Sequence, residues 1–133
     1  MALSYLPLAA WITLSARPIP PRVTLSATPD RLPQLEKLHA AEPADADVTY
    51  MLGLEHAKGD GETAVAEALR WLDQTLTLDP GYHYAYFQKA KLLDARGDTE
   101  AAHATLDAGL TRARADGHAK AVGELEELQA SLS

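Results

Sequence analysis

The chain has 133 residues, which is enough for one domain with a modest hydrophobic core. It contains no cysteine, which excludes disulfide bonds, a thiolate nucleophile and a cysteine-rich zinc site. The net charge of −7 disfavours nucleic acid or an anionic membrane as the main partner, because both are recruited by clustered Lys and Arg.

The first predicted element is residues 1–29, whose composition differs from that of the rest of the chain. This segment has no Asp or Glu and five of the eight prolines, whereas residues 30–133 hold all nineteen acidic residues. Its stretch RPIPPR predicts extended backbone, because each proline disfavours helix in the residue before it. We expect an extended or disordered segment, and a mis-assigned start, a weak export signal and a segment docked on the domain all stay open.

Residues 30–133 are predicted to form six amphipathic helices separated by turn residues. In the third, for example, Val65, Leu69, Leu72 and Leu76 recur at i, i+4, i+7 and i+11, which places them on one helix face. No segment shows the alternation that is typical of strands, so the sequence predicts an all-α protein. The predicted helices lie within residues 30–43, 46–61, 62–81, 82–98, 99–117 and 118–133.

Helices two to five form two similar hairpins. Each has a Gly-Asp turn, Gly59-Asp60 in the first and Gly97-Asp98 in the second, where we expect left-handed glycine and a capping aspartate. Small residues are predicted where the two helices of a hairpin cross closely. They stand at corresponding positions, Gly53 and Ala68 in the first hairpin and Ala90 and Ala102 in the second.

With these residues the chain resembles the tetratricopeptide repeat (TPR) family, and more closely its small bacterial members, over residues 30–133. The resemblance implies a stack of antiparallel helix hairpins, with about two repeats, a leading half-repeat helix and a C-terminal capping helix. Four positions depart from the family's pattern: Thr49, Lys89, Gly109 and Arg114 stand where the family often has Trp, Leu, Ala and Pro. The family is a scaffold for many partners, so the resemblance implies a mode of action and no particular partner.

Half of the eight aromatic residues fall in one short stretch, YHYAYF, at the start of the fourth helix. At about 100° per residue, Tyr82 and Tyr86 share the inward stripe, whereas Tyr84 and Phe87 lie on another face. In TPR-like stacks that face of the first helix of each hairpin lines a concave groove. The resemblance therefore implies a partner-binding groove with five lining residues: Tyr50, Leu54, Tyr84, Phe87 and Lys91.

From this we expect an all-α adaptor or scaffold that binds a peptide or helix of another protein in an apolar groove. We expect no catalysis, no cofactor, no nucleic acid and no membrane partner. The alternative is a structural role in which the groove mediates self-association into a homo-oligomer. The absence of cysteine suits the cytoplasm, with export as the alternative if residues 1–29 act as a signal.

A remote alternative is metal binding through two Glu-x-x-His pairs. Glu36 with His39 and Glu100 with His103 have the i, i+3 spacing that di-iron helix bundles use. Such a site needs four long helices that converge on one core. The predicted helices break about every fifteen residues, so no metal ligand is assigned.

Overall fold

The computed structural model describes residues 31–132, which form six α-helices and no strand. The chain divides into two units, residues 1–34 and 35–133, and the described part of the first is the opening turn of α1. The predicted N-terminal segment, residues 1–29, lies outside the described residues. All six predicted helices are confirmed: α1 Arg31–Ala41, α2 Ala46–Ala57, α3 Gly61–Leu78, α4 His83–Ala95, α5 Thr99–Ala115 and α6 Ala119–Ser131.

The helices of the second unit stack as successive hairpins. Three residues separate α2 from α3 and three separate α4 from α5, and each of these pairs packs closely along its length. Helix α4 packs on α3, and α6 packs on α5. Helices α2, α4 and α6 also lie side by side, because α4 touches both of the others. The all-α stack of helix hairpins predicted from the sequence is therefore confirmed, with α6 as its last helix.

The turns between helices use the predicted chemistry in the second hairpin and a variant of it in the first. Gly97 has a φ of +94°, and the Asp98 side chain accepts a hydrogen bond from the Ala101 amide. In the first hairpin the left-handed glycine is Gly61, with a φ of +87°, and Asp60 makes no side-chain cap. The predictions that Gly59 takes the left-handed conformation and that Asp60 caps the next helix are therefore wrong: the positive φ lies two positions later, at the first residue of α3.

Close helix crossings explain the small residues. A Cβ atom on Gly53 of α2 would lie 3.0 Å from Leu72 Cγ and 3.4 Å from the Ala68 carbonyl oxygen of α3. In the second hairpin Ala90 and Ala102 are fully buried. The predicted packing role of these residues is confirmed, since a larger side chain at any of them would have to push two helices apart.

The core of the second hairpin continues into α6. Its buried residues come from four helices: Leu69, Ala90, Leu93, Ala102, Leu106, Leu110, Ala113, Ala121 and Leu125. Tyr86 and Phe87 are partly buried and pack against this cluster. Because α6 contributes Ala121 and Leu125, it closes the core that α4 and α5 would otherwise leave open at one end.

Two of the four departures from the repeat pattern form ion pairs between helices. Lys89 stands where an apolar residue is expected, and its Nζ lies 2.7 Å from Asp73 Oδ1 on α3. Its aliphatic stem can cover the helix contact while the ammonium group reaches the surface. Arg114 Nη2 lies 2.9 Å from Glu126 Oε2, which links α5 to α6. Both pairs are partly exposed, so each contributes little to stability.

A third departure, Thr49, belongs to a buried pair of hydroxyl groups. Thr49 Oγ1 lies 2.8 Å from Thr75 Oγ1, and both side chains are fully buried between α2 and α3. Each hydroxyl is also 2.9 Å from a carbonyl oxygen of its own helix, that of Ala46 or Trp71. The pair has only two hydrogens for three contacts, so one hydroxyl donates to the other and the second donates to its carbonyl.

This arrangement predicts that the two threonines are coupled. Thr49→Val and Thr75→Val should each lower the free energy of unfolding by about 1 kcal/mol, because each removes a buried hydrogen bond. The double variant should cost less than the sum of the two single losses, because a single variant leaves one buried hydroxyl against an apolar side chain and the double variant leaves none. Urea unfolding of the three proteins measures the coupling, and two additive losses would contradict it.

Candidate functional site

The five residues predicted to line a groove lie on two neighbouring helices. Tyr50 and Leu54 are on α2, and Tyr84, Phe87 and Lys91 are on α4, which packs beside α2. Tyr84 is 39% exposed and Lys91 is exposed, whereas Tyr50, Leu54 and Phe87 are half-buried. The structure brings Tyr84 and Phe87 together with α6, places Lys91 over the Phe87 ring, and pairs Tyr50 with Tyr82.

Tyr50 and Tyr82 form a ring pair between α2 and the start of α4. Their centroids are 4.8 Å apart, and the Tyr82 hydroxyl donates to Asp47 Oδ1 at 2.8 Å. Burial raises the pKa of Tyr82, and the Asp47 carboxylate adds to the shift because it favours the protonated phenol. Tyr82 was predicted to lie in the core, but it is half-buried and its hydroxyl ends in a polar contact. The Tyr82 ring covers one side of the Tyr50 ring.

Tyr84 connects α4 to α6 through its hydroxyl. The hydroxyl donates to Glu124 Oε1 at 2.9 Å, and this hydrogen bond raises the pKa of the Tyr84 phenol. The two residues are 40 positions apart, so no local pattern signals the contact. For this reason the sequence did not indicate Glu124 as a site residue.

Phe87 forms one wall of a cavity between α4 and α6. The cavity has a volume of about 240 Å³ and is lined by Phe87, Glu124, Glu127, Leu128 and Ser131. On the other side, Phe87 packs against the core cluster. The Lys91 ammonium group lies over the ring, 5.7 Å from its centroid, and this distance is typical of a cation–π contact. Phe87 therefore contributes both to the core and to an open surface.

A cluster of polar groups lies at the start of α4, next to Tyr84. His83 Nε2 is 3.0 Å from Asp116 Oδ2, and Arg112 Nε is 3.1 Å from the same oxygen. The hydrogen bond from Arg112, followed by that from His83, lowers the pKa of Asp116. The ring of His118 lies 4.8 Å from that of His83, and its Nδ1 accepts from the Ala121 amide. These contacts cap α6 and tie the end of α5 to the start of α4.

The Glu-x-x-His pairs do not converge. His39 packs edge to face on Trp71, with ring centroids 4.9 Å apart. Within residues 31–132, no three His, Asp or Glu side chains come close enough together to hold a metal ion.

None of the helices in residues 31–132 is long and apolar enough to cross a bilayer. No protein-family model matches the chain, and no curated protein is significantly similar to it. The case for a function therefore depends on the residues and their geometry.

Proposed function

We propose that this protein is a TPR-like adaptor that binds a segment of another polypeptide across the neighbouring faces of α2, α4 and α6. The observation that carries this proposal is the position of two aromatic residues of α4: Tyr84 is exposed, and Phe87 lines a cavity between α4 and α6. Aromatic side chains in such settings are the residue types that dominate binding energy at protein interfaces. The cytoplasm is the proposed location of this binding, in keeping with the absence of cysteine.

The packing of α2, α4 and α6 supports this choice of surface. Helix α4 touches both α2 and α6, so side chains from all three helices can contact one ligand. Tyr50 is held by Tyr82, Tyr84 by Glu124, and Phe87 by the core behind it. Side chains that are held in place before binding lose little conformational entropy when a ligand arrives, which favours affinity.

Peptide selection tests the proposal without knowledge of the natural partner. Random peptides displayed on phage are panned on the full-length protein, and the affinity of each recovered peptide is measured by fluorescence anisotropy. We expect Phe87→Ala to weaken binding about 5- to 30-fold, the loss for an aromatic anchor worth about 1–2 kcal/mol. Tyr84→Ala should act in the same direction.

The control is Leu38→Ala on α1, because Leu38 is 52% exposed and is also a large apolar residue. This variant should bind the selected peptides like the wild type. Peptides that bind Phe87→Ala and the wild type equally would contradict the proposal. A dimer in sedimentation velocity that dissociates on Phe87→Ala would replace it with self-association through the same surface.

A further inference from the structure

The cavity between α4 and α6 has features that define the chemistry of its occupant. We propose that it receives one arginine side chain of the partner polypeptide, whose stem packs on Phe87 and Leu128 and whose guanidinium group reaches the carboxylates of α6. This inference rests on the adaptor function proposed above and specifies its ligand. At about 240 Å³ the cavity is smaller than the roughly 300–1,000 Å³ of typical small-molecule sites, so it suits a single side chain.

The apolar part of the cavity fits the stem of a long side chain. Phe87 from α4 and Leu128 from α6 face the space from opposite helices, and both also pack against the core cluster. An arginine can bury its three methylene groups against such surfaces while its charged end stays near the rim. A short acidic or amide side chain would leave this apolar surface uncovered.

The polar groups of the cavity offer only hydrogen-bond acceptors. Glu124 and Glu127 stand one helical turn apart on α6, and Glu124 Oε1 is already bonded to Tyr84. The Glu127 side chain is exposed and forms no hydrogen bond or ion pair with another side chain of residues 31–132. Ser131 donates its hydroxyl proton to the Leu128 carbonyl, so its oxygen faces a ligand as an acceptor. The matching ligand is a donor with several N–H groups and a positive charge.

The Phe87 ring, which lines the cavity, also contacts a cation of the chain itself. Lys91 holds its ammonium group over the Phe87 ring and forms no ion pair with any carboxylate of residues 31–132. The planar guanidinium of arginine can bond to two carboxylate oxygens at once, so it suits the glutamates of the cavity better than the point charge of lysine. The net charge of −7 also attracts a basic partner segment.

The test uses a capped tripeptide, acetyl-Leu-Arg-Leu-amide, and the same peptide with neutral citrulline in place of arginine. Both are titrated into the full-length protein, and binding is followed by backbone amide chemical shifts. We expect saturable shifts at Phe87, Glu127 and Leu128 with the arginine peptide. Affinity for the citrulline peptide should be about tenfold lower, because the shape is kept while the positive charge and two of the N–H donors are lost.

Three variants add an independent readout. Glu127→Gln should weaken the arginine peptide about three- to tenfold and remove most of its advantage over citrulline. Lys91→Met should strengthen it, because a like charge beside the cavity is removed. The control Glu126→Gln, on the same helix but paired with Arg114 and outside the cavity, should leave affinity unchanged.

The outcomes separate this inference from the adaptor function. Equal affinity for the arginine and citrulline peptides, or shifts confined to other helices, would overturn the arginine cavity. If phage-selected peptides still depended on Phe87, the adaptor proposal would stand without it. If neither the tripeptide nor any selected peptide required Phe87, both proposals would be wrong.

Discussion

Tyr86→Ala is expected to lower the free energy of unfolding by about 3–5 kcal/mol, the usual loss when a large core ring is removed. The ring packs against the core cluster, and Gly109 of α5 lies directly on it. The hydroxyl donates to the Pro80 carbonyl oxygen at 2.8 Å, which ties α4 to the loop before it. Truncation would leave a cavity between α4 and α5, and chemical unfolding followed by circular dichroism measures the loss.

Two neighbouring variants make this result interpretable. Tyr86→Phe should cost about 1 kcal/mol or less, because it removes an exposed hydrogen bond and keeps the ring. Phe87→Ala should cost about 1–2 kcal/mol, since Phe87 packs on the core with one side and lines an open cavity with the other. If Phe87→Ala proved as destabilising as Tyr86→Ala, Phe87 would be a core residue and its assignment to a binding surface would lose support.

Gly109→Ala is expected to destabilise the protein by about 1–3 kcal/mol, although alanine is the better helix former. The new Cβ would lie 2.8 Å from both Cβ and Cγ of Tyr86. These atoms are close to the α4 backbone, so a simple side-chain rotation cannot relieve the overlap. The two helices would have to separate, which loosens the contact between α4 and α5.

Gly123→Ala provides a matched control for this prediction. Gly123 is also inside a helix, α6, but a Cβ there would meet nothing within 4 Å. The same chemical change should therefore stabilise the protein by about 0.5–1 kcal/mol, through helix propensity alone. The midpoint temperature of thermal unfolding should fall for Gly109→Ala and rise for Gly123→Ala. Equal shifts of the same sign would show that α5 does not pass as close to Tyr86 as the structure places it.

Gly109 is a departure from the repeat pattern that the structure explains. The pattern leads one to expect alanine at this position, and the sequence offers no reason for glycine. The structure supplies the reason, because Tyr86 occupies the space that an alanine methyl group would need. Tyr86 and Gly109 are 23 positions apart on different helices, so their relation exists only once the hairpin has folded.

The aromatic stretch at the start of α4 was partly predictable. Helical angles correctly placed Tyr86 against the core and Tyr84 at the surface, because these positions follow from the backbone of one helix. They overstated the burial of Tyr82 and understated that of Phe87. Burial depends on which side chains of the neighbouring helices lie beside a residue. Here α6 packs against Phe87, whereas the Tyr82 hydroxyl donates to the exposed Asp47.

The sequence by itself determined the six helices, the hairpins and the small residues at the crossings. Apolar periodicity, Gly-Asp turns and short linkers act within a few residues of each other, so they can be recognised along the chain. Only the tertiary structure decided that Glu124, Glu127 and Leu128 of α6 share a cavity with Phe87. The rotation of one helix against another is set by interlocking side chains distant in sequence, and no local pattern encodes it.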